Sequence, residues 1–266
     1  MLHEVLTAER TDLAPGEFVA RYGDVFAVFD AATQDSGNVS YGVSAGPGRL
    51  FVKTAGSPDA QPHLSHDERV ALLRNAIRLA RTVPDPAMPV LRNVVESPRG
   101  PLLVYEWAEG ELVGTPSSRR SDPGSAFSRF RGLPRHERTA ALDVVFRLHV
   151  NLAAQGWIAS DFYDGCLIYD FATRRMHVVD LDTYRDAPFT NEMGRMFGST
   201  RFMAPEEHTL GARIDARTTV FAMGRTVEQF LASDATVSEG IAGLISRACQ
   251  DDPELRFGSV AGFYRA

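Results

Sequence analysis

Apolar residues that favour β-strands recur in short runs along the first third of the chain. The runs cover residues 25–29, 38–43 and 49–53, and glycines and polar residues separate them. Between the second and third runs, residues 46–48 read Gly-Pro-Gly, which is typical of a tight turn. The pattern therefore predicts three strands, of which the last two form a hairpin.

A helical pattern follows over residues 66–82. The apolar residues at helical spacing are Val70, Leu73, Ile77 and Ala80. Pro84 and Pro86 come soon after this stretch and are expected to end the helix, because proline cannot continue a helical backbone. Two further apolar runs, residues 90–95 and 102–107, predict two more strands.

Beyond the last of these strands the pattern changes. A polar stretch rich in Gly, Ser, Arg and Pro covers residues 114–134, and an amphipathic helix is predicted over about residues 135–155. Short apolar pieces at residues 167–169 and 177–179 predict a strand pair, and residues 182–205 are expected to form a loop. We predict that the remainder is helical.

The predicted strands lie in the first part of the chain and most of the predicted helices in the second, and this order indicates a two-lobed α+β protein. We predict an N-lobe over residues 1–107 that is built on a small antiparallel sheet. It is expected to have an extension to about residue 24, then strands and one helix. A mainly helical C-lobe is expected over residues 108–266.

The composition is that of an acidic globular protein. The 266 residues are 44% hydrophobic, enough for a substantial core, and the formal net charge is −6. Such a charge argues against nucleic acid as a partner. The two cysteines, Cys166 and Cys249, are too few for a disulfide framework and lack the spacing of a zinc site. Because we find neither a signal sequence nor a run of about 18 apolar residues, we expect a cytoplasmic protein without a membrane partner.

One basic residue differs from all the others. Of the 28 lysine and arginine residues, 27 are arginine, and the single lysine is Lys53, at the end of Leu-Phe-Val-Lys. An ammonium group is compact and a guanidinium is a planar fork, so the two are not equivalent in a tight site. Lys53 is therefore a candidate functional residue that arginine cannot replace.

Motifs in the second half of the chain carry further candidate chemistry. In chain order they are Ala-Ser-Asp at residues 159–161, Val-Val-Asp-Leu-Asp at 178–182, Gly-Ser-Thr-Arg-Phe-Met-Ala-Pro-Glu at 198–206 and Asp-Pro-Glu-Leu-Arg at 252–256. Together with Lys53 they resemble, in the same order, the V-A-I-K, H-R-D, D-F-G, A-P-E and D-P-x-x-R motifs of protein kinases. From about residue 26 to residue 257 the chain is similar to the protein kinase superfamily, and most of all to bacterial eukaryotic-like Ser/Thr protein kinases.

The resemblance implies transfer of the ATP γ-phosphate, with Mg²⁺, to the hydroxyl of a protein or small molecule. It implies that Lys53 neutralises the ATP phosphates, that Asp161 is the catalytic base and that Asp180 ligates Mg²⁺. The backbone of Glu106 and Ala108 is expected to receive the adenine.

Two more expectations follow from the resemblance. Ile168, on the short strand after the catalytic loop, is expected to contact the nucleotide. Glu206 is expected to pair with Arg256, because a buried carboxylate needs a partner and a guanidinium offers a bidentate one. We assign this pair a structural role.

A degenerate phosphate-binding loop is expected before Lys53. Residues 32–39, aligned with G-x-G-x-x-G-x-V, keep Gly37 and Val39 and leave room for two strands before Lys53. Alignment over residues 37–42 keeps two glycines but crowds the hairpin, so we prefer the first register. A plain hairpin turn is an alternative of equal weight.

Four positions depart from the family pattern. Ser160 replaces an Arg, so activation by a phosphate bound to that Arg is not expected, and Thr219 replaces an Asp that braces the catalytic loop. Cys166 stands at the metal-binding Asn, and a thiol is a poor ligand for Mg²⁺. Asp182, where Gly is usual, either supplies the lost oxygen ligand or caps the following turn.

The helix carboxylate that should pair with Lys53 is not evident from the sequence. Glu68 lies inside the predicted helix, whereas counting back from Asp85 leads to Asn75 and Ala76.

Two other functions stay open at this point. A small-molecule kinase of the antibiotic or choline type is favoured by Asp-Leu-Asp at residues 180–182, and disfavoured by Met-Ala-Pro-Glu at residues 203–206. A pseudokinase that binds nucleotide without catalysis is favoured by Cys166, Thr219 and the eroded glycines. We favour the Ser/Thr-kinase-like phosphotransferase, because most catalytic positions keep a suitable residue.

Overall fold

The structure is a computed structural model that describes residues 2–33, 36–60, 62–232 and 239–266. Helix accounts for 40% and strand for 19% of it, and it contains eight α-helices, so the predicted mixture of helix and strand is confirmed. The contacts group the chain into two units, Met1–Ala108 and Glu109–Ala266.

The first unit is built on a five-stranded antiparallel sheet. Its elements are α1 (Leu2–Thr7), α2 (Pro15–Tyr22), β1 (Asp24–Phe29), β2 (Val39–Ala45), β3 (Gly48–Thr54), α3 (His66–Thr82), β4 (Leu91–Val95) and β5 (Leu102–Glu106). The strands lie in the order β1-β2-β3-β5-β4, and every neighbouring pair is antiparallel. The strand that carries Lys53, β3, is therefore central.

Helices cover both faces of this sheet. One buried cluster contains Val5, Phe18, Val19, Val43, Leu50, Val52, Val95, Leu102 and Val104. A second cluster contains Ala55, Leu73, Ala76, Ile77 and Leu103. Because successive strand residues point to opposite faces, the alternation along β5 places α1 and α2 on one face and α3 on the other.

The hairpin between β2 and β3 forms where the sequence predicts it. Ala45 pairs with Gly48, which leaves Gly46 and Pro47 as a two-residue turn. Gly46 has a φ of +63°. Glycine adopts this angle without steric cost, and the fixed negative φ of proline suits the next position of a type II′ turn.

Helix α3 has the bounds that its apolar spacing predicts, and a capping box starts it. The Ser65 side chain accepts a hydrogen bond from the Glu68 amide at 3.3 Å. The Glu68 carboxylate accepts one from the Ser65 amide at 2.8 Å. Glu68 therefore serves the start of α3, and this corrects its candidacy as the partner of Lys53.

The extension before β1 is itself helical, which the sequence did not predict, and α3 is the one helix of this unit that follows it. The extension forms α1 and α2, and Phe18 and Val19 are buried against the sheet. These helices have six and eight residues, too few turns for an apolar repeat to be visible in the sequence.

The second unit is mainly helical and contains two small antiparallel sheets. Its elements are β6 (Glu111–Leu112), α4 (Ala126–Arg131), α5 (Arg135–Ala154), β7 (Leu167–Asp170), β8 (Arg175–Val178), β9 (Phe189–Thr190), β10 (Arg213–Ile214), α6 (Ala216–Leu231), α7 (Glu239–Ala248) and α8 (Val260–Arg265). The sheets have the strand orders β6-β7-β8 and β10-β9. The predicted long helix and strand pair are thus confirmed as α5 and β7–β8.

Short 3₁₀ turns lie at Asp164–Cys166, soon after Asp161, and at Pro205–His208, at the end of the Met-Ala-Pro-Glu segment. Within the described ranges, no helix is long and apolar enough to cross a lipid bilayer.

Candidate active site

Lys53 lies on the central strand of the first unit and is 8% exposed. It pairs with Ser40 of β2 and with Leu103 of β5. Residues directly opposite each other on antiparallel strands project to the same face. Lys53 therefore shares the face of Leu103, the face covered by α3, and the sheet fixes the position of its backbone.

The connection between β1 and β2 contains the predicted phosphate loop. Gln34 and Asp35 of that loop lie outside the described residues. Gly37 has a φ of +78°, and Val39 is the first residue of β2. Gly42 lies inside β2 and pairs with Phe51, so the register over residues 37–42 would place the motif within a strand. These strand bounds agree with the preferred register over residues 32–39.

Arg69 of α3 fastens this connection and was not recognised in the sequence. Its guanidinium donates hydrogen bonds to the carbonyls of Gly37, Ala55 and Ser57. The side chain is fully buried, and burial lowers the pKa of Arg69. One buried guanidinium thus joins the candidate phosphate loop to the residues that follow Lys53.

The predicted adenine-contacting residues of this unit lie at the end of β5. Glu106 is the last residue of the strand, pairs with Leu50 and donates its amide to the Val90 carbonyl at 2.9 Å. Ala108 is the last residue of the unit. Their contact with adenine stays a prediction.

In the second unit, backbone and hydroxyl hydrogen bonds join the segments on either side of Asp161 and Asp180. Ile158 and Arg185 exchange backbone hydrogen bonds of 2.7 and 3.1 Å. The Thr183 hydroxyl donates to the carbonyl of Ser160, the neighbour of Asp161, at 2.6 Å. The segment before Asp161 is therefore held against the segment after Asp180.

A further bond joins the two loops on the other side. The Val179 amide, next to Asp180, donates to the Cys166 carbonyl at 2.8 Å. Burial first, and then the charges of Asp180 and Asp161, raise the pKa of the Cys166 thiol. Both aspartates therefore lie close enough to Cys166 to act on it electrostatically.

Asp161 and Asp180 share an uncommon backbone conformation. Their φ angles are +59° and +63°, and in the described part of the chain only Arg174 is another non-glycine residue with positive φ. The left-handed region is unfavourable for residues with a Cβ and is kept where surrounding structure demands it. The predicted base and the predicted Mg²⁺ ligand are thus two of the three exceptions among the described residues.

Cys166 is a neutral thiol in this setting. It is almost completely buried, and its Sγ–H donates to the Asp161 carbonyl at 3.5 Å. A protonated thiol engaged with a carbonyl does not suit Mg²⁺, which prefers oxygen ligands. Cys166 supports the shape of the Asp161 loop.

The groups near this loop that could offer oxygen to a cation are the carboxylates of Asp180 and Asp182. Asp180 is exposed, whereas Asp182 is only 7% exposed. No group of three His, Cys, Asp or Glu that could hold a metal ion occurs in the ranges that the structure covers. Mg²⁺ commonly uses one or two protein carboxylates with phosphates and water, so these carboxylates fit the ion.

A buried polar pair lies beside the two aspartates. His149 Nδ1 is 2.8 Å from the Val145 carbonyl, and His149 Nε2 is 2.8 Å from the Tyr184 hydroxyl. A carbonyl can only accept, so Nδ1 donates, and in a neutral ring Nε2 accepts from Tyr184. Burial, followed by Cys166, Asp161 and Asp180, raises the pKa of Tyr184. The tyrosine therefore stays neutral.

Thr219, which stands where the family pattern has Asp, braces the segment before Asp161. Its hydroxyl accepts a hydrogen bond from the Ala159 amide at 3.0 Å. Thr219 and this amide are both buried, so the bond satisfies a donor that water cannot reach.

The predicted pair of Glu206 and Arg256 is confirmed. Arg256 Nη1 and Nη2 lie 2.7 and 2.8 Å from the two carboxylate oxygens of Glu206. The Thr218 hydroxyl donates to the same carboxylate at 2.8 Å. This bidentate pair anchors the end of the Met-Ala-Pro-Glu segment to the 3₁₀ turn Pro253–Leu255.

Asp164 is a buried charge that the sequence analysis missed. It is 1% exposed and follows Asp161 by three residues. Arg120 Nη2 lies 2.6 Å from its Oδ2, and Arg201 donates at 2.9 Å to Oδ1 and at 3.1 Å to Oδ2. Nothing in the local sequence pattern indicates these partners.

Ile168 of β7 is partly buried and pairs with Leu112 of β6 and His177 of β8. Its contact with a nucleotide stays a prediction.

Comparison with known proteins gives no family assignment. No protein-family model matches the chain, and no curated protein matches it.

Proposed function

We propose that the chain is an ATP- and Mg²⁺-dependent phosphotransferase of the bilobal protein-kinase-like fold, acting on a hydroxyl acceptor as a Ser/Thr protein kinase does. The observation that carries the proposal is the left-handed backbone of Asp161 and Asp180. Hydrogen bonds within the second unit fasten their loops together. Strained residues of this kind cluster at functional sites, and each costs about 1–3 kcal/mol.

The proposal gives each charged residue one role. Asp161 accepts the proton of the acceptor hydroxyl as general base. Asp180 holds Mg²⁺ through oxygen, and Asp182 is the candidate for a second carboxylate ligand. When bound, Mg²⁺ offsets the charge of the ATP phosphates. Lys53 adds a positive charge to the same phosphates.

The remaining assignments concern the nucleotide. Gly37 and Val39 belong to the loop that covers the phosphates, and the buried guanidinium of Arg69 holds that loop in place. The backbone of Glu106 and Ala108 receives the adenine. The order of these positions along the chain supports this part of the proposal.

The test is transfer of radiolabelled γ-phosphate from ATP to casein. We expect Asp161→Asn to lower the rate by about 10²- to 10⁴-fold, because the base is lost. Lys53→Met should lower it by about 10²-fold or more, because one preorganised positive charge is removed. Arg49→Met is the matched control, since this exposed arginine lies on the same strand and should keep the natural rate.

Wild-type transfer rates in both Asp161→Asn and Lys53→Met would overturn the proposal. Label found on a small hydroxyl compound and absent from casein would assign the small-molecule kinase alternative.

A nucleotide-binding protein without catalysis is the second candidate, and Cys166 favours it. A buried neutral thiol replaces a ligand for the metal, so Mg²⁺ is held by fewer protein groups. Binding of fluorescent ATP without any label transfer would select this function.

A further inference from the structure

Two guanidinium groups bond to the buried carboxylate of Asp164, and a third, that of Arg131, lies near Arg120 at the Phe127 ring. Arg120 and Arg201 both bond to Asp164, and their side chains are 16% and 32% exposed. Arg120 and Arg131 lie over the Phe127 ring, 4.6 and 5.5 Å from its centroid. The cluster therefore has three positive charges and one negative charge.

The positive charges of this cluster are not fully neutralised locally. Burial lowers the pKa of Arg120, with Asp164 acting in the opposite direction and Arg201 and Arg131 acting in the same direction as burial. The Nε of Arg131 is buried and has no hydrogen-bond partner among the described residues. Such groups are usually paired, so the cluster favours binding of further negative charge.

The cluster lies beside the loop of the proposed base. Asp164 is three residues after Asp161, in the same loop. On the neighbouring segment, a Cβ placed on Gly198 would be 3.5 Å from Oδ1 of Asp161, and Arg201 follows Gly198 by three residues. A molecule whose hydroxyl reaches Asp161 can therefore extend a charged group to Arg201.

We infer that the acceptor is an acidic peptide, whose carboxylates bind Arg120, Arg131 and Arg201 next to Asp161. The inference rests on the proposed function, because it identifies the acceptor of that reaction. Two net positive charges on separate chain segments fit several carboxylates along a peptide. Arginine clusters are a recurring means of recognising acidic segments.

The test measures binding without requiring transfer. A fluorescent peptide with glutamates on both sides of an alanine, which cannot be phosphorylated, is titrated with the protein, and anisotropy is recorded. A second peptide has lysine in place of each glutamate. We expect the acidic peptide to bind about tenfold or more tightly than the basic peptide, and to weaken at high salt.

Arg131 is the decisive position, because its Nε contacts no carboxylate and its removal leaves the Asp164 bonds in place. Arg131→Gln should weaken acidic-peptide binding about three- to fivefold, the value of one partly exposed charge pair. Arg131→Lys should retain most of the binding. Arg175→Gln, which removes an exposed arginine from β8, is the control and should bind like the natural chain.

Transfer to matching serine peptides completes the test. The acidic peptide should show a lower KM than the basic peptide with a similar kcat. Equal binding of the two alanine peptides, or an Arg131→Gln variant that binds like the natural chain, overturns the inference. If the acidic-peptide inference fails but both serine peptides are phosphorylated, the proposed phosphotransferase function still stands. If the acidic peptide binds through the arginines but no transfer occurs, the proposed function is wrong and the binding site remains.

Discussion

Arg256 uses all five N–H donors of its guanidinium. Two bind Glu206, and the others bind the carbonyls of Arg217, Gln250 and Asp251 at distances between 2.7 and 3.1 Å. A buried ion pair is stable only when its remaining hydrogen-bonding groups are satisfied in this way. At the scale of single residues, the pair is therefore a structural anchor.

The first prediction concerns this anchor. Arg256→Met should lower the free energy of unfolding by about 3–5 kcal/mol, because Glu206 is left buried without a partner. Urea denaturation followed by circular dichroism measures the loss. Arg265→Met, which changes an exposed arginine of α8, should stay within about 0.5 kcal/mol of the natural chain.

Removing both charges should recover part of the loss. The double variant Glu206→Gln with Arg256→Met no longer buries a lone charge and should be more stable than Arg256→Met alone. A single Arg256→Met variant that unfolds with the natural midpoint contradicts the structural role.

The helices differ in how well their apolar spacing predicts them from the sequence. Helix α3 has 17 residues and α5 has 20, so their apolar positions recur over several turns. Helices α1 and α2 are too short for this, yet they cover one face of the sheet. Their burial comes from contacts with β-strands that are distant in sequence.

The second prediction tests whether α2 belongs to the core. Phe18→Ala should destabilise the first unit by about 3–5 kcal/mol, because a buried aromatic ring is lost and a cavity remains. Amide hydrogen exchange of the strands reports this unit. Phe26→Ala is the matched control, since Phe26 is 44% exposed and loses mainly its edge contact with Trp107, worth about 0.5–1.5 kcal/mol.

An equal effect of the two substitutions would mean that α2 does not belong to the core of this unit.

The pH dependence of stability is a property of the whole molecule, because it sums over all titrating groups. The pKa of Glu207 is raised, whereas acidic side chains elsewhere in the protein, such as Glu68 and Glu96, have a lowered pKa. Burial is the largest cause that raises the pKa of Glu207, and the negative charges of Glu206 and Asp161 raise it further. A hydrogen bond from the Ala204 amide acts in the opposite direction, and the resulting pKa is about 8. The ordinary value is 4.5. Between these pH values the folded chain retains a proton that the unfolded chain releases.

The third prediction follows from that difference. Stability from Glu207 is fully present below about pH 4.5 and is lost as pH rises towards 8. The slope is on the order of 1 kcal/mol per pH unit. Glu207→Gln cannot lose a proton and should gain stability relative to the natural chain from pH 5 to pH 8, with no further gain above. Thermal unfolding across this pH range measures the difference.

Glu68 provides a control of opposite sign. Hydrogen bonds from Ser65 lower the pKa of Glu68, so its contribution is present above the ordinary value of 4.5 and lost as pH falls. The difference between Glu68→Gln and the natural chain should therefore be constant from pH 5 to pH 8. A Glu207→Gln difference that is also constant over this range contradicts the raised pKa.

The sequence by itself determined the features that depend on neighbours along the chain. Apolar spacing was sufficient for α3, α5 and the β2–β3 hairpin, because helices and tight turns are closed by local hydrogen bonds. The pair of Glu206 and Arg256, which lie 50 residues apart, was indicated by the resemblance to protein kinases and not by local spacing.

Only the tertiary structure decided the electrostatics of the candidate site. Asp164 meets arginines that lie 44 and 37 residues away, and no periodicity specifies such contacts. The neutral state of Cys166 depends on burial by residues from several segments, together with the charges of Asp161 and Asp180. Burial and pairing between distant segments set these charges, and that information exists only once the chain has folded.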